Sequence, residues 1–354
     1  MKLLTFGKNG YIIENSRYLV TAMPDVSREA DSTDLVLTEK RNVDMQTLKK
    51  DKKYEIDMCN GPLLGKILLF SLPLMLSGIL QLLFNAADMI VVGRWGGSNA
   101  LAAVGSTGSL INLLVNVFIG LSVGANVLVS RYYGAGQEKE LSEMVHTAIL
   151  TAFVCGVLLV FIGFFVAPVA LEAMGTPPEV LDQSVLYVRI YFAAMPAMMV
   201  YNFGAAILRA VGDTRRPLYF LLVAGIINVI LNLIFVIGFS MDVAGVAMAT
   251  AISQVVSAIL VVICLMRSNG PYRLVLKELR IVPHKLWMMA RIGIPAGLQG
   301  AIFSISNVLI QSSINSFGAT AVAGNSAAGN LEGFVYTAMN SVHQTAVSFT
   351  SQNF

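Results

Sequence analysis

Eight apolar segments follow one another through residues 61–354, and each is long enough to cross a bilayer. They occupy 63–92, 101–131, 144–170, 184–209, 217–239, 242–266, 287–316 and 320–353. The hydrocarbon core is about 30 Å thick and takes about 20 helical residues. Lipid offers no hydrogen-bond partner to a backbone N–H or C=O, so such segments must satisfy themselves as helices. An all-α polytopic membrane protein is therefore predicted. Only 13% of the residues are charged, against about 25% in a soluble domain.

The charges are unevenly placed. Residues 1–66 hold 11 of the 24 Lys and Arg and 10 of the 21 Asp and Glu. Residues 1–60 read as a polar cytoplasmic tail without fixed structure, and they lack the basic start and apolar run of a secretory signal. Met45 and Met58 offer later starts. Beyond the tail, the connections 131–143, 209–216 and 267–291 carry 2, 3 and 6 basic residues, whereas the alternate set carries only Arg94. Basic loops stay on the cytoplasmic side, which puts the N terminus there too, in a cell membrane. Trp95 and Trp287 fall at predicted helix ends, as interfacial anchors do, and Arg189 lies where it can snorkel outward.

The body repeats itself. Shifted by 222 residues, the first span lands on the seventh: Leu72-Pro73 meets Ile294-Pro295, and Asn85 meets Asn307. Shifted by 221, the second lands on the eighth: Ala125 meets Ala346, and Ser130 meets Ser351. Six spans separate the copies, so both run in the same direction, as in the parallel repeats of some transporters. The expected organisation is a first lobe of six helices over 61–266, a cytoplasmic linker over 267–286, and the start of a second lobe over 287–354. On this reading the second lobe is incomplete, and four more helices are expected after Phe354.

Few polar groups remain inside the spans. Asp88 and Glu332 are the clear carboxylates, and a charge at that depth costs about 2.5–3.5 kcal/mol on insertion scales. Such residues mark ion or substrate paths. Gln81, Asn85 and Asp88 share one helical face by spacing. Asn307, Gln311 and Asn315 form a similar stripe on the repeat partner. Asn112 and Asn116 share a face of the second span, and Asn228 and Asn232 share one of the fifth. Each pair alone reads equally well as interhelical glue, but together the stripes suggest a wet central cavity. Gly105, Gly120 and Gly124 read as sites of close helix packing. There is no phosphate-binding loop, nucleophile elbow or HExxH pattern. The three Cys and three His show no ligand spacing. No enzyme, cofactor, metal site or nucleic-acid partner is expected.

The stretch G-P-L-L-G-K-I-L-L-F-S-L-P-L-M-L-S-G-I-L-Q-L-L-F-N-A-A-D-M-I-V-V-G-R-W-G-G, with its Pro73 and Asp88 contexts, resembles the opening of multidrug and toxic compound extrusion (MATE) transporters. R-A-V-G-D-T-R-R-P at 209–217 is similar to the family's loop between helices 4 and 5. G-V-A-M-A-T-A-I-S-Q at 245–254 is similar to its sixth helix opening, and I-G-I-P-A-G-L-Q at 292–299 to its seventh. The resemblance, which covers 61–354, implies a two-lobed helical bundle of twelve helices, monomeric at full length. It implies an antiporter that exports amphipathic, often cationic drugs in exchange for inward Na⁺ or H⁺ by alternating access. Asp88 then takes the place of the family's first-helix carboxylate and Asn228 that of its fifth-helix Asn. Asn232 stands where one prokaryotic branch has Asp, which leaves Asp88 as the lone acid of the first lobe. Glu332 is a further candidate, proposed to compensate from the second lobe. Two other readings compete: a flippase for lipid-linked precursors, which should line its cavity with cations, and a membrane protein that moves no solute.

Overall fold

The computed structural model describes residues 54–354 apart from 316–318, so most of the polar tail lies outside the described residues. Among the described residues there are nine α-helices: α1 (Leu63–Val91), α2 (Gly97–Gly134), α3 (Glu138–Ala173), α4 (Pro178–Ala193), α5 (Met195–Ala210), α6 (Arg215–Asn232), α7 (Asp242–Arg267), α8 (Pro283–Asn315) and α9 (Ala319–Asn353). No strand occurs among the described residues. Two π-helical turns, Val92–Gly96 and Leu233–Gly238, continue α1 and α6.

Among the described residues six helices are long and apolar enough to cross a membrane, or seven if the bent pair α4–α5 is one span. Where the sequence predicts a single helix over 184–209, the chain forms α4 and α5, which meet at 49°. Pro196, at the start of α5, has no N–H to give a preceding carbonyl, which weakens the ladder where the chain bends at Ala194, although α1, α3 and α8 continue through Pro73, Pro168 and Pro295. The eighth expected span forms α9, which is long enough but not among the six. Glu332, Asn340, His343 and Gln344 dilute its apolar surface.

The main core lies where α2, α3, α5 and α7 meet. Leu128, Met144, Ala148, Met199, Phe203, Ile207, Val261 and Leu265 are almost wholly buried there. Large apolar side chains also cover the outside: Phe153, Phe161, Phe165, Ile226, Ile230, Ile259 and Ile302 are exposed. A soluble protein rarely presents so continuous an apolar surface, whereas lipid requires one.

The most extensive crossing is that of α2 with α8. A Cβ added at Gly120 would stand 2.3 Å from Gly297 N, one at Gly124 2.4 Å from Met289 O, and one at Gly297 2.5 Å from Val117 O. Backbone lies on backbone here, through a small-xxx-small pattern on both helices. All connections rich in Lys and Arg lie at one end of the bundle. Ile56 N–H donates to Gly212 O there at 3.2 Å, and Lys285 Nζ pairs with Glu140. α1 and α8 start at that end and α2 and α9 finish there, so each pair runs in a common direction, as the repeat predicts.

Candidate functional site

Asp88 lies in the last turn of α1, just before the first π turn. Asn232 ends α6, just before the second. π turns alter the register of a helix and often occur at functional sites. The two here pack against each other and against the start of α7. They thereby gather side chains from three helices near the end of the bundle opposite the basic loops.

Asn232 Nδ2 donates to Asp88 Oδ1 at 2.5 Å, and the same amide donates to Asn228 Oδ1 at 3.3 Å. Asn228 Nδ2 donates to Thr250 Oγ1 of α7 at 3.2 Å. The Thr250 hydroxyl lies 3.4 Å from Asp88 Oδ2 and donates to it. Asn232 is 0% and Asn228 5% exposed, while Asp88 is partly buried. One carboxylate is thus held by one amide and one hydroxyl, with Asn228 bridging those two partners, and among the described residues it has no basic partner. Asn232 Oδ1, fully buried, accepts no hydrogen bond from any described residue. A buried acceptor left so costs about 1–3 kcal/mol, which is the signature of a place that a cation or donor completes. Tyr187 and Tyr191 of α4 stack with ring centroids 6.0 Å apart, within electrostatic reach of Asp88.

Glycine allows this meeting. A Cβ added at Gly225 on α6 would stand 1.9 Å from Phe84 Cε2. Phe84 lies one turn before Asp88, and Gly225 one turn before Asn228. The bare backbone of α6 receives the ring, which lets α1 approach closely enough for Asp88 to reach Asn232.

The other predicted residues are more scattered. Gln81, Asn85, Asn112 and Asn307 are exposed, and none of them is a hydrogen-bond partner of Asp88. Asn116 donates to Ser304 Oγ of α8 at 3.3 Å, so one amide of that pair does join helices. Gln311 and Asn315 belong to α8, but their side chains lie outside the described ones. Glu332 is exposed on α9 and makes no hydrogen bond to Asp88. Thr250 was missed. A lone Thr in an apolar helix carries no periodic signal, and only its place in G-V-A-M-A-T-A-I-S-Q draws notice.

Comparison with known proteins bears on the family and the fold. The MatE family model matches residues 73–234, a stretch that contains Asp88, Asn228 and Asn232. The "Probable multidrug resistance protein YoeA" of Bacillus subtilis is 34% identical over 262 residues, 72% of this chain and 57% of that protein. The multidrug export protein MepA of Staphylococcus saprophyticus is 22% identical over 254 residues, 72% of this chain and 56% of its own length. The chain thus spans less than two thirds of these relatives. The solved structure of a MOP-superfamily transporter from Pyrococcus furiosus superposes with a TM-score of 0.75 at 24% identity, covering 80% of this chain and 63% of that one. At that identity the likeness shows the fold. With its MatE segment, its relatives and its shared fold, the chain belongs to the multidrug and toxic compound extrusion family.

Proposed function

We propose that this chain forms the ion-coupled lobe and the adjoining helices of a secondary antiporter. The transporter exports amphipathic, often cationic compounds in exchange for an inward cation, by alternating access. The observation that carries the reading is the single carboxylate Asp88, set among Asn228, Asn232 and Thr250 with the orphan oxygen of Asn232 beside it. Hard cations take oxygen ligands, and carboxylate, amide and hydroxyl oxygens converge here on two π turns. Broken helices that present backbone and side-chain oxygens are a recurrent device for Na⁺ in secondary transporters. The orphan acceptor therefore favours Na⁺ over H⁺, since a proton on Asp88 would leave it unpaired.

The coupling follows from charge. With Asp88 ionised, the site has a net charge of −1, and closing it away from water is costly. A bound monovalent cation removes that charge and makes the closed site cheaper. A cationic drug competes for the same anion, so either ion or drug completes the crossing. The exposed amides Gln81, Asn85, Asn112 and Asn307 are assigned to the cavity wall, with the Tyr187–Tyr191 pair as an aromatic platform nearer the ion. The distribution of Lys and Arg supports an orientation with the basic end in the cytoplasm of a plasma membrane. Among the described residues no basic group partners Asp88, which counts against a pyrophosphate-linked lipid as cargo.

The test is ethidium efflux from vesicles carrying the full-length protein, with a Na⁺ gradient and a pH gradient imposed in turn. Asp88→Asn is expected to abolish gradient-dependent efflux while the protein still reaches the membrane. An undiminished rate in that variant would remove Asp88 from the mechanism.

A further inference from the structure

Residues 54–60, just ahead of α1, lie across the basic end of the bundle. Both oxygens of Glu55 are taken by phenols from distant segments. Tyr133 Oη, at the end of α2, donates to Oε2 at 2.9 Å. Tyr272 Oη, in the connection between α7 and α8, donates to Oε1 at 2.7 Å. The two rings meet edge to face at 6.4 Å, and Tyr272 is 1% exposed. On one side of Glu55, the Arg216 guanidinium lies 4.9 Å over the Tyr54 ring. On the other, Ile56 N–H donates to Gly212 O, and Gly212 has φ +99° with no room for a Cβ, which would meet Ile56 O at 2.6 Å. The segment then reaches α9. Met58, wholly buried, packs with Phe70, Leu74 and Phe349. Its carbonyl accepts from Asn353 Nδ2 at 3.1 Å, and Cys59 Sγ lies 3.7 Å from Gln352 O.

This strap therefore fastens the α5–α6 loop, the end of α2, the α7–α8 connection and the end of α9 to one another. The first three belong to the first repeat or its exit, and α9 belongs to the second. Directly behind the strap the two repeats also touch, where Ser348 Oγ donates to Asn126 Oδ1 at 3.2 Å and Gln352 Nε2 donates to Ala210 O at 2.5 Å. A passage to the basic end cannot open while α9 is held there. We infer that residues 54–60 are a latch that keeps the basic end of the transporter shut, with Glu55 as its fastening and Tyr133 and Tyr272 as its catches. The latch releases when α9 swings away and closes again on return. This goes beyond the site at Asp88, and rests on the transport reading only in requiring the repeats to part. Its readout is therefore accessibility rather than flux.

The experiment places a cysteine behind the latch, Ser348→Cys, in the full-length protein with Cys59 and Cys264 changed to Ser. Cys155, buried in α3, stays as an internal reference. Inside-out vesicles are treated with a membrane-impermeant maleimide. Glu55→Gln keeps the shape but loses the charge that shortens both phenol bonds. The loss of one charged hydrogen bond shifts an equilibrium by about tenfold. Alkylation at position 348 is expected to rise by about that factor, with Cys155 unchanged. Tyr272→Phe removes one catch and should act in the same direction, and it decides the matter if Glu55→Gln does not fold. An unchanged rate at position 348 in the folded variants overturns the latch. A parallel rise at Cys155 overturns it too, since that would mean general loosening.

Discussion

Gly225→Ala adds one methyl group at the contact that sets the distance between Asp88 and Asn232. The new Cβ would stand 1.9 Å from Phe84 Cε2 and 2.0 Å from Cζ, where real Cβ atoms do not come nearer than 3.0 Å. Ring and helix must therefore part by about 1.1 Å, because a close-packed interior has no slack to absorb the overlap. Carried one turn along α1 and α6, that separation lengthens the 2.5 Å contact from Asn232 to Asp88 to about 3.6 Å, beyond hydrogen-bond range. Hydrogen bonds to charged groups contribute about 1.5–3 kcal/mol, and about 1.4 kcal/mol is a factor of ten. The oxygens of the proposed cage are divided among α1, α6 and α7, so pulling α1 away from α6 would weaken the hold on a cation. The Na⁺ concentration that gives half-maximal ethidium efflux is expected to rise roughly tenfold to a hundredfold. Adding Phe84→Ala removes the obstructing ring and should restore most of the lost affinity. Two results would refute the reasoning: a folded Gly225→Ala protein with an unchanged Na⁺ response, or a double variant no better than the single. Either would mean that the ring swings aside while α1 keeps its place.

Thr250→Val removes the hydroxyl that joins Asn228 to Asp88; the same flux assay should show about a tenfold weaker Na⁺ response, with Thr250→Ser close to wild type. Gly297→Leu drives a side chain into Val117 at the α2–α8 crossing, where even a Cβ meets backbone oxygen at 2.5 Å; overpacking of this kind costs about 1–3 kcal/mol and should lower the melting temperature in detergent. Asp213, 1% exposed in the α5–α6 loop, has its carboxyl pushed up from 3.8 to about 6, chiefly by burial and against the pull of the Arg215 and Arg216 N–H groups. A carboxyl raised on folding contributes stability that is full below the unfolded value and lost as pH rises through the folded one. Thermal stability should therefore decline between about pH 4 and pH 6, and Asp213→Asn should flatten that part of the profile.

Composition and the length of the apolar runs made the helical membrane fold legible, since both follow from what lipid requires of a backbone. The repeat gave the common direction of α1 with α8 and of α2 with α9. The break at Pro196 was present in the sequence, but an apolar run that reads through a proline conceals whether the helix bends or stops. Asp88, Asn228 and Asn232 were legible because amides and acids stand out in apolar helices. Their meeting was not, because it depends on two π turns and on a glycine that admits one ring. Thr250 was hidden for the reason that Glu332 was conspicuous. Polarity is visible in a sequence, whereas position is not, and Glu332 is exposed on α9.

A site with one carboxylate limits how strongly ion binding can drive the lobes. Neutralising one charge at membrane depth is worth about 2.5–3.5 kcal/mol, while carrying a two-state equilibrium from 1:99 to 99:1 needs about 5.5 kcal/mol. A second acid at position 232 would roughly double the electrostatic drive; Asn232 forgoes it. On the proposed antiport reading, the two states must then lie close in free energy before any ion binds. Strong contacts on one side must be balanced by contacts of similar strength on the other. At the basic end, the α2–α8 glycine crossing and the Glu55 strap set one side of that balance. Loosening the strap should therefore change the cation concentration needed for transport, although Glu55 and Asp88 lie at opposite ends of α1. Equal Na⁺ dependence in wild type and Glu55→Gln would mean that the two ends are not linked in this way.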